Sequence, residues 1–431
     1  MAQHGMSGWF SEHYSDRIRR PLQKTARLTF HLCPGLFIMP SMSLLPRLWP
    51  VLFPGIFLLP ACGKKSSGDH GGGDPGPILA FAEAGLYTPG EDGSTPWVQT
   101  EPPADAASLI MMVEGPAQQP DTCIQTSALR VPDGYRIRRQ QRGDFSYLCP
   151  DCAWRSTAQR GRAIFIFPND GSTLQQSGAP EIRLGLWDCD LRIPLRPVPS
   201  AEERPALRIS MAWQPEVPAD RWLQLDLLIA DGSGAGPRGA AFLNRLEEEL
   251  NRHFLPARIR PRVTRTVTLE NLPLYLPVGV RDRSGFDLVH GSLQEKAPEV
   301  RETPVVPVVL GTCLQWEDPV EGTGFDYVGL VPALPGGLRP EQPDHLLIAG
   351  RDCGNPQVHL PWTVPTLGRL LAHELGHYLG LYHSVEPDGS TDHLDDTDGT
   401  DRMGDVWGDG SFTPSQIRIM RQHPYLRPGG G

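Results

Sequence analysis

Apolar positions change their spacing part-way along the chain. From Ile78 to about Val198 they come in short stretches, Leu109–Val113, Arg162–Phe167 and Ile182–Trp187, separated by Gly, Pro, Asn and Asp. Phe167-Pro-Asn-Asp-Gly171 has the residues of a turn, and no helical period of useful length occurs. That pattern predicts a small all-β, sandwich-like domain over 78–198. Val198-Pro-Ser-Ala-Glu-Glu-Arg-Pro205 reads as a linker. Beyond it, Leu223–Ala230 and Arg258–Leu269 alternate as strands, with a helix between them over Ala240–Phe254 that sets Leu243, Leu246, Leu250 and Phe254 on one stripe. Val305–Leu310 and His345–Ala349 are further apolar strands. A second helix is expected with Thr366 as N-cap after Pro365, running through Leu370, Leu371 and Leu375 to Gly380, and a short one over Pro414–Arg421. The order predicts an α+β domain over 205–425, helices packed on a twisted sheet.

One hydrophobic stretch precedes both regions. In Arg47-Leu-Trp-Pro-Val-Leu-Phe-Pro-Gly-Ile-Phe-Leu-Leu-Pro-Ala-Cys62 a single basic residue leads a run broken by Pro50, Pro54 and Gly55. The run is shorter than the ~20 residues that span a bilayer and reads as an export signal, making 1–61 a leader. Leu59-Pro60-Ala61-Cys62 resembles the lipobox of bacterial lipoproteins, with Pro60 where that box has a small or aliphatic residue. The resemblance implies lipidation at Cys62 and an outer-membrane lipoprotein of a bacterial cell envelope, anchored to the membrane through the lipid alone. A plain secretory signal and a buried segment of the fold are the alternatives. Residues 62–77, rich in Gly, Ser and Asp, form a flexible tether. Within that leader residues 1–38 lack an obvious role, and translation from Met39 or Met42 is expected.

Composition sharpens this picture in two places. Residues 1–62 hold six of the 40 Lys and Arg but only two of the 50 Asp and Glu, so the body of the chain is more acidic than its net charge of −10. An acidic body offers no electrostatic footprint for nucleic acid, which is excluded as a partner. Beyond Cys33 and Cys62 six cysteines remain, and Cys123, Cys149, Cys152 and Cys189 fall before residue 200 while Cys313 and Cys353 fall after it. An even number in each half suggests two disulfides in the first and Cys313–Cys353 in the second, as an exported protein allows. Cys149-Pro-Asp-Cys152 is alternatively a redox or metal pair.

The chemistry concentrates in His373-Glu-Leu-Gly-His377-Tyr-Leu-Gly380-Leu-Tyr-His383. Histidines four apart on a helix share a face, with Cβ atoms about 5–6 Å apart, close enough for two imidazoles to meet one zinc ion at about 2.0–2.1 Å. Glu374, one position on, reaches the coordinated water without ligating the metal. Gly380 takes a backbone conformation that ends the helix and turns the chain back, so that His383 arrives as third ligand. Three imidazoles leave one position open for water, with Glu374 as the general base that passes its proton to the leaving amine.

This motif resembles that of the metzincin zinc metalloproteases. Ser411-Phe-Thr-Pro-Ser-Gln-Ile-Arg-Ile-Met420-Arg and Asp392-His-Leu-Asp-Asp-Thr397 are similar to segments of the pappalysin-like members. The resemblance implies a metzincin-like catalytic domain, one catalytic zinc, a protein or peptide substrate, and a methionine turn beneath the metal. Met403 in Thr400-Asp-Arg-Met-Gly-Asp405 is the candidate for that turn; Met420 lies in the short closing helix and reads as packing. No tyrosine closely follows Met403, so a transition-state tyrosine is not expected there.

Weaker signals surround the motif. Nine acids between Glu386 and Asp409 admit a calcium site, though a solvated acidic loop is the simpler reading. Arg351-Asp-Cys353-Gly-Asn-Pro356 superficially resembles a cysteine switch, but Cys313 offers a disulfide partner. His393 is a spare histidine of an exposed loop. The reading is therefore a zinc-dependent endopeptidase. Its alternatives are a surface lipoprotein that binds a partner around a structural or degenerate zinc site, and a hydrolase of non-peptide amides.

Overall fold

In the computed structural model the described residues are 80–115, 122–138, 152–188, 193–194, 206–216, 220–230, 239–273, 275–278, 284–296, 305–311, 313–317, 324–331, 333–337, 345–351, 353, 362–386, 391–404 and 406–428. Cys62, Cys149, Cys189 and the linker at 198–205 lie outside them. All described residues fall in one compact unit. No helix among them is long and apolar enough to cross a membrane.

The first half is built from β1 (Ala82–Tyr87), β2 (Ala106–Glu114), β3 (Thr122–Val131), β4 (Gly134–Ile137), β5 (Gln159–Arg160), β6 (Arg162–Phe167), a single turn of helix α1 (Leu174–Ser177), β7 (Glu181–Asp188), β8 (Ile193–Pro194) and β9 (Leu207–Pro215). They pair antiparallel into two sheets, in the orders β1-β9-β2-β6 and β4-β3-β7-β8, with β5 on β3. The alternation of side chains decides what each face does. Leu109, Met111 and Val113 of β2 join Leu129, Phe167 and Leu184 in one apolar cluster shared by both sheets, while Ile110 packs outward with Ile164 and Ile166. Strand β9 corrects the domain boundary set at 198–205. It lies beyond the expected linker, yet it fills the place between β1 and β2. A polar, proline-bearing stretch marks a loop as readily as a domain border.

The second half continues with β10 (Arg221–Ala230), α2 (Ala240–Phe254), β11 (Ile259–Leu269), β12 (Tyr275–Pro277), α3 (Ser284–Lys296), β13 (Val306–Leu310), β14 (Cys313–Glu317), β15 (Gly324–Tyr327), β16 (Gly329–Leu330), β17 (Leu346–Ile348), α4 (Val364–Tyr378), α5 (Pro414–Met420) and β18 (Arg427–Pro428). The central sheet runs β11-β10-β13-β17-β16, and β18 adds to β10. Its first four strands are parallel; β16 runs antiparallel along the edge of β17. Parallel strands are covered on both faces. Leu223, Leu225, Leu227 and Ile229 of β10 meet helices α2 and α4 on one side, while Leu228 and Ala230 meet Val289 of α3 and Leu314 of β14 on the other. The architecture is mixed α and β. Cys313 and Cys353 form a disulfide with Cα atoms 5.7 Å apart, tying the start of β14 to the chain ahead of α4. Cys123 and Cys152 each take part in a disulfide as well.

Contacts cross from the first half to the second at residues 333–337. The Leu334 carbonyl accepts from Thr157 Oγ1 at 3.0 Å and Gln159 Nε2 at 3.2 Å. On the other side, Gly336 N donates to the Tyr378 carbonyl at 2.9 Å and Tyr378 Oη donates to the Gly337 carbonyl at 3.0 Å.

Leu250 is fully buried between α2, the sheet and α4. Leu250→Ala is expected to cost about 2–5 kcal/mol, read as a lower urea midpoint. The exposed Arg245→Ala on the same helix leaves the midpoint within about 0.5 kcal/mol.

Candidate metal centre

Helix α4 carries the motif. Its N-cap is Thr363, whose Oγ1 accepts from Thr366 N at 3.4 Å, and Pro365 lies in the first turn. The expected N-cap at Thr366 is thus three residues late, because the first-turn amides have no carbonyl to find and proline's missing N–H costs nothing there. Leu367, Leu371 and Leu375 press into the core and hold the helix against the sheet. Tyr378 is its last residue. Gly380 then takes φ +104°, and Leu381 N donates back to the Gly376 carbonyl at 3.0 Å. After this reversal the His383 ring lies beside those of His373 and His377.

The imidazoles of His373, His377 and His383 converge, with their ligand atoms all within 4.8 Å of one another. Their outer nitrogens are all engaged. His373 Nδ1 donates to the Arg402 carbonyl at 2.9 Å, and His377 Nδ1 to the Leu381 carbonyl at 2.7 Å. His383 Nδ1 donates to Glu386 Oε2 at 2.8 Å. Carbonyl and carboxylate oxygens only accept, so each ring carries its proton on Nδ1 and turns a lone pair inward on Nε2. Yet Nε2 of His377 and Nε2 of His383 lie 3.0 Å apart. Two lone pairs at that distance repel unless a metal ion or a shared proton lies between them. The donor set therefore fits a metal that prefers neutral nitrogen ligands, and zinc is the ordinary choice.

Glu374 follows His373 into the interior and is 5% exposed; burial alone raises its pKa to about 8. Gly329 of the edge strand β16 lies directly over this carboxylate, and a Cβ built on Gly329 would fall inside it. Met403 is fully buried in the loop beyond His383. A Cβ on Gly376, between the two helical histidines, would come within 2.6 Å of its sulfur. The methionine therefore packs directly against the backbone between these ligands. Met420 is buried in the main core on α5, in a packing role.

Four residues that sequence reasoning missed organise this loop and its surroundings. Asp401 is buried and accepts from Ser384 Oγ at 2.6 Å, Met403 N at 2.9 Å and Gln416 Nε2 at 2.7 Å. It joins the residue after His383, the methionine turn and α5. Arg402, fully buried, donates to the Gly408 carbonyl and so fixes the carbonyl that His373 uses. Gly329 and Glu386 complete the set. Only Asp401 left a trace in the sequence, since a carboxylate two residues before a turn amide is a common Asx arrangement.

The weaker expectations divide. Among the described residues the three histidines are the one group arranged to hold a metal ion. Of the acids considered for calcium, Asp388 and Asp405 lie outside the described residues, and three others bond within the loop or to α5. Asp392 accepts from Thr397, Asp398 from Thr400, and Asp396 from Thr413 and Ser415 N at the start of α5. Cys353 is in a disulfide and so is not a switch cysteine. His393 lies with Asp170, Asp395 and Arg418 along a separate surface groove, with φ +57°.

No protein-family model matches this chain, and no curated protein matches it in sequence. Solved structures similar to part of it include Tannerella forsythia mature mirolysin in complex with a cleaved peptide, at 14% identity and TM-score 0.31, over 48% of this chain and 92% of that one. Archaemetzincin from Methanopyrus kandleri is 18% identical at TM-score 0.24, over 47% of this chain and 87% of that one. Metalloproteinase-II from Bacteroides fragilis is 11% identical at TM-score 0.24, over 44% and 57%. At such TM-scores the likeness assigns no residue, and the site stands on its own geometry.

Burial gives the metal-free chain a definite pH dependence. It lowers the pKa of His253 and His373 to about 4, of His345 and His423 to about 3, and of His377 well below its usual value. As pH falls below about 6.5 the unfolded chain binds more protons than the folded one at these histidines, so stability drops with acid. Glu374, raised to about 8, and Asp392, raised to about 6, are also shifted chiefly by burial and act the other way. Their stabilisation is present in acid and lost as pH rises through those values. Five groups outweigh two between about pH 4.5 and 6, and Glu374 stands alone above about 6.5. The zinc-free chain should therefore show its highest urea midpoint near neutrality, with a steep fall towards pH 4 and a shallow one towards pH 9. A midpoint that rises on acidification from pH 7 to 4 contradicts the neutral, buried histidines.

Proposed function

We propose that this chain is a zinc-dependent endopeptidase with His373, His377 and His383 as ligands and Glu374 as general base. The observation that carries the reading is the convergence of three imidazoles, with Nε2 of His377 and His383 3.0 Å apart, on the same helix end as the buried carboxylate of Glu374. Zinc held there supplies Lewis acidity and lowers the pKa of water towards about 7.

The remaining chemistry belongs to the chain's own residues. Glu374 takes a proton from the attacking water at its carboxylate and hands it to the departing amine. Strand β16 gives the substrate a place. It is the edge of the sheet among the described residues, and its Gly329 lies against Glu374. An extended peptide that adds to this edge by main-chain hydrogen bonds would carry its backbone past the base. The absence of a side chain at Gly329 keeps that approach clear.

A structural zinc site closes its metal with four protein ligands, whereas three gather among the described residues. This favours the enzyme over the partner-binding lipoprotein. The leader and the disulfides, which persist in oxidising compartments, support export as part of the proposal. Attachment through a lipid at Cys62 is part of the same proposal.

Glu374→Gln should leave one zinc per chain and reduce cleavage of an unstructured protein by about 10²–10⁴-fold. Lost zinc with intact cleavage would sink the assignment of Glu374. Gly329→Ala should likewise retain zinc and lose turnover, since its methyl displaces the carboxylate. Unchanged turnover in that variant places the base elsewhere. Cleavage of small amides but of no peptide would move the reading to the non-peptide hydrolase.

A further inference from the structure

The Nδ1 partners of the three ligand rings are not alike. Two are carbonyls of neighbouring loops; the third, for His383, is the carboxylate of Glu386. Glu386 has a side chain only 1% exposed, and a buried carboxylate is costly unless a cation faces it. That cation comes from the far half of the chain. Arg155 precedes β5, and its Nη1 lies 3.5 Å from Glu386 Oε1, with its own side chain 7% exposed. Its guanidinium also lies over the ring of Tyr382, the residue before the ligand, at 5.4 Å. The backbone of Arg155 is clamped in turn. Its N–H donates to Asn169 Oδ1 at 3.0 Å, and Asn169 Nδ2 donates to its carbonyl at 2.7 Å.

We infer that Arg155 is a positioning residue of the metal centre, acting through Glu386 on His383, so that the β-rich half is part of the site rather than a removable appendage. The inference rests on the zinc reading given above. Asn169 holds the Arg155 backbone, and the Arg155 guanidinium faces the Glu386 carboxylate as its buried counter-ion, through charge rather than a hydrogen bond. Glu386 then holds the His383 ring in the one tautomer and orientation that presents Nε2. His383 needs this support more than its partners do. His373 and His377 are held by a helix, whereas His383 follows a chain reversal and its side chain is 35% exposed. A carboxylate behind a ligand imidazole also makes that ring a stronger donor.

The test uses the full chain and zinc alone, with affinity read by competition against a chromophoric chelator. Arg155→Met, which keeps the bulk and removes the charge, should weaken zinc by about 10–100-fold, and Glu386→Gln by a similar factor. The double variant should be no weaker than the worse single one, because both break the same link. Arg155→Lys should recover most of the affinity, which a merely space-filling role would not require. Cobalt(II) put in place of zinc should show an altered visible spectrum in Arg155→Met. A folded Arg155→Met with wild-type zinc affinity and wild-type cobalt spectrum overturns the inference while leaving the zinc site intact. If circular dichroism shows that this variant does not fold, unchanged affinity in Glu386→Gln overturns it equally. A wild-type chain that takes up no zinc overturns the metal reading itself, and the inference with it.

Discussion

The three converging imidazoles are fixed from behind. Each Nδ1 donates to an acceptor that a different piece of chain must deliver: the loop before Met403, the reversal at Gly380, and the segment carrying Glu386. A lone pair is only as well aimed as the hydrogen bond on the opposite side of its ring. Much of the surrounding structure consists of devices that hold those acceptors still. Arg402 is buried so that its carbonyl has one position, and Gly380 adopts a backbone that lets the Leu381 carbonyl turn under the helix.

Asp401 extends the same logic outward. One carboxylate accepts from Ser384, from the amide of Met403 and from Gln416, and so makes the chain after the third ligand, the methionine turn and the closing helix a single body. Charge-assisted bonds to a buried carboxylate are among the stronger ones available. The glycines mark where side chains had to give way: Gly376 to the methionine sulfur, Gly329 to the base, and Gly368 of α4 to Glu249 of α2.

The convergence of His373, His377 and His383 was legible because metal coordination prescribes both residue type and spacing over a few consecutive turns. Leu246 and Leu250 were legible for a like reason, since a helix repeats its face every three or four residues. Helix α4 starts three residues ahead of the sequence expectation because a proline inside the first turn gives the same local signal as one before the helix. Strand β9 shows a second limit. Its alternation is plain, but which sheet it joins is decided by partners distant in sequence. Arg155, Glu386 and Gly329 were invisible for that reason. An arginine, a glutamate and a glycine are common residues, and only the folded chain brings each to a histidine or to the base.

The segment at 333–337 has its own bearing on how the molecule comes apart. Its Leu334 carbonyl is held by Thr157 and Gln159 of the first half, while Gly336 and Gly337 are bonded to Tyr378 at the end of the ligand-bearing helix. Neither half can open without disturbing the other through these few residues. Melting should therefore follow a single cooperative course rather than two successive ones, with calorimetric and van't Hoff enthalpies in agreement. Amide exchange at Gly336 would report on that global opening rather than on a local fluctuation.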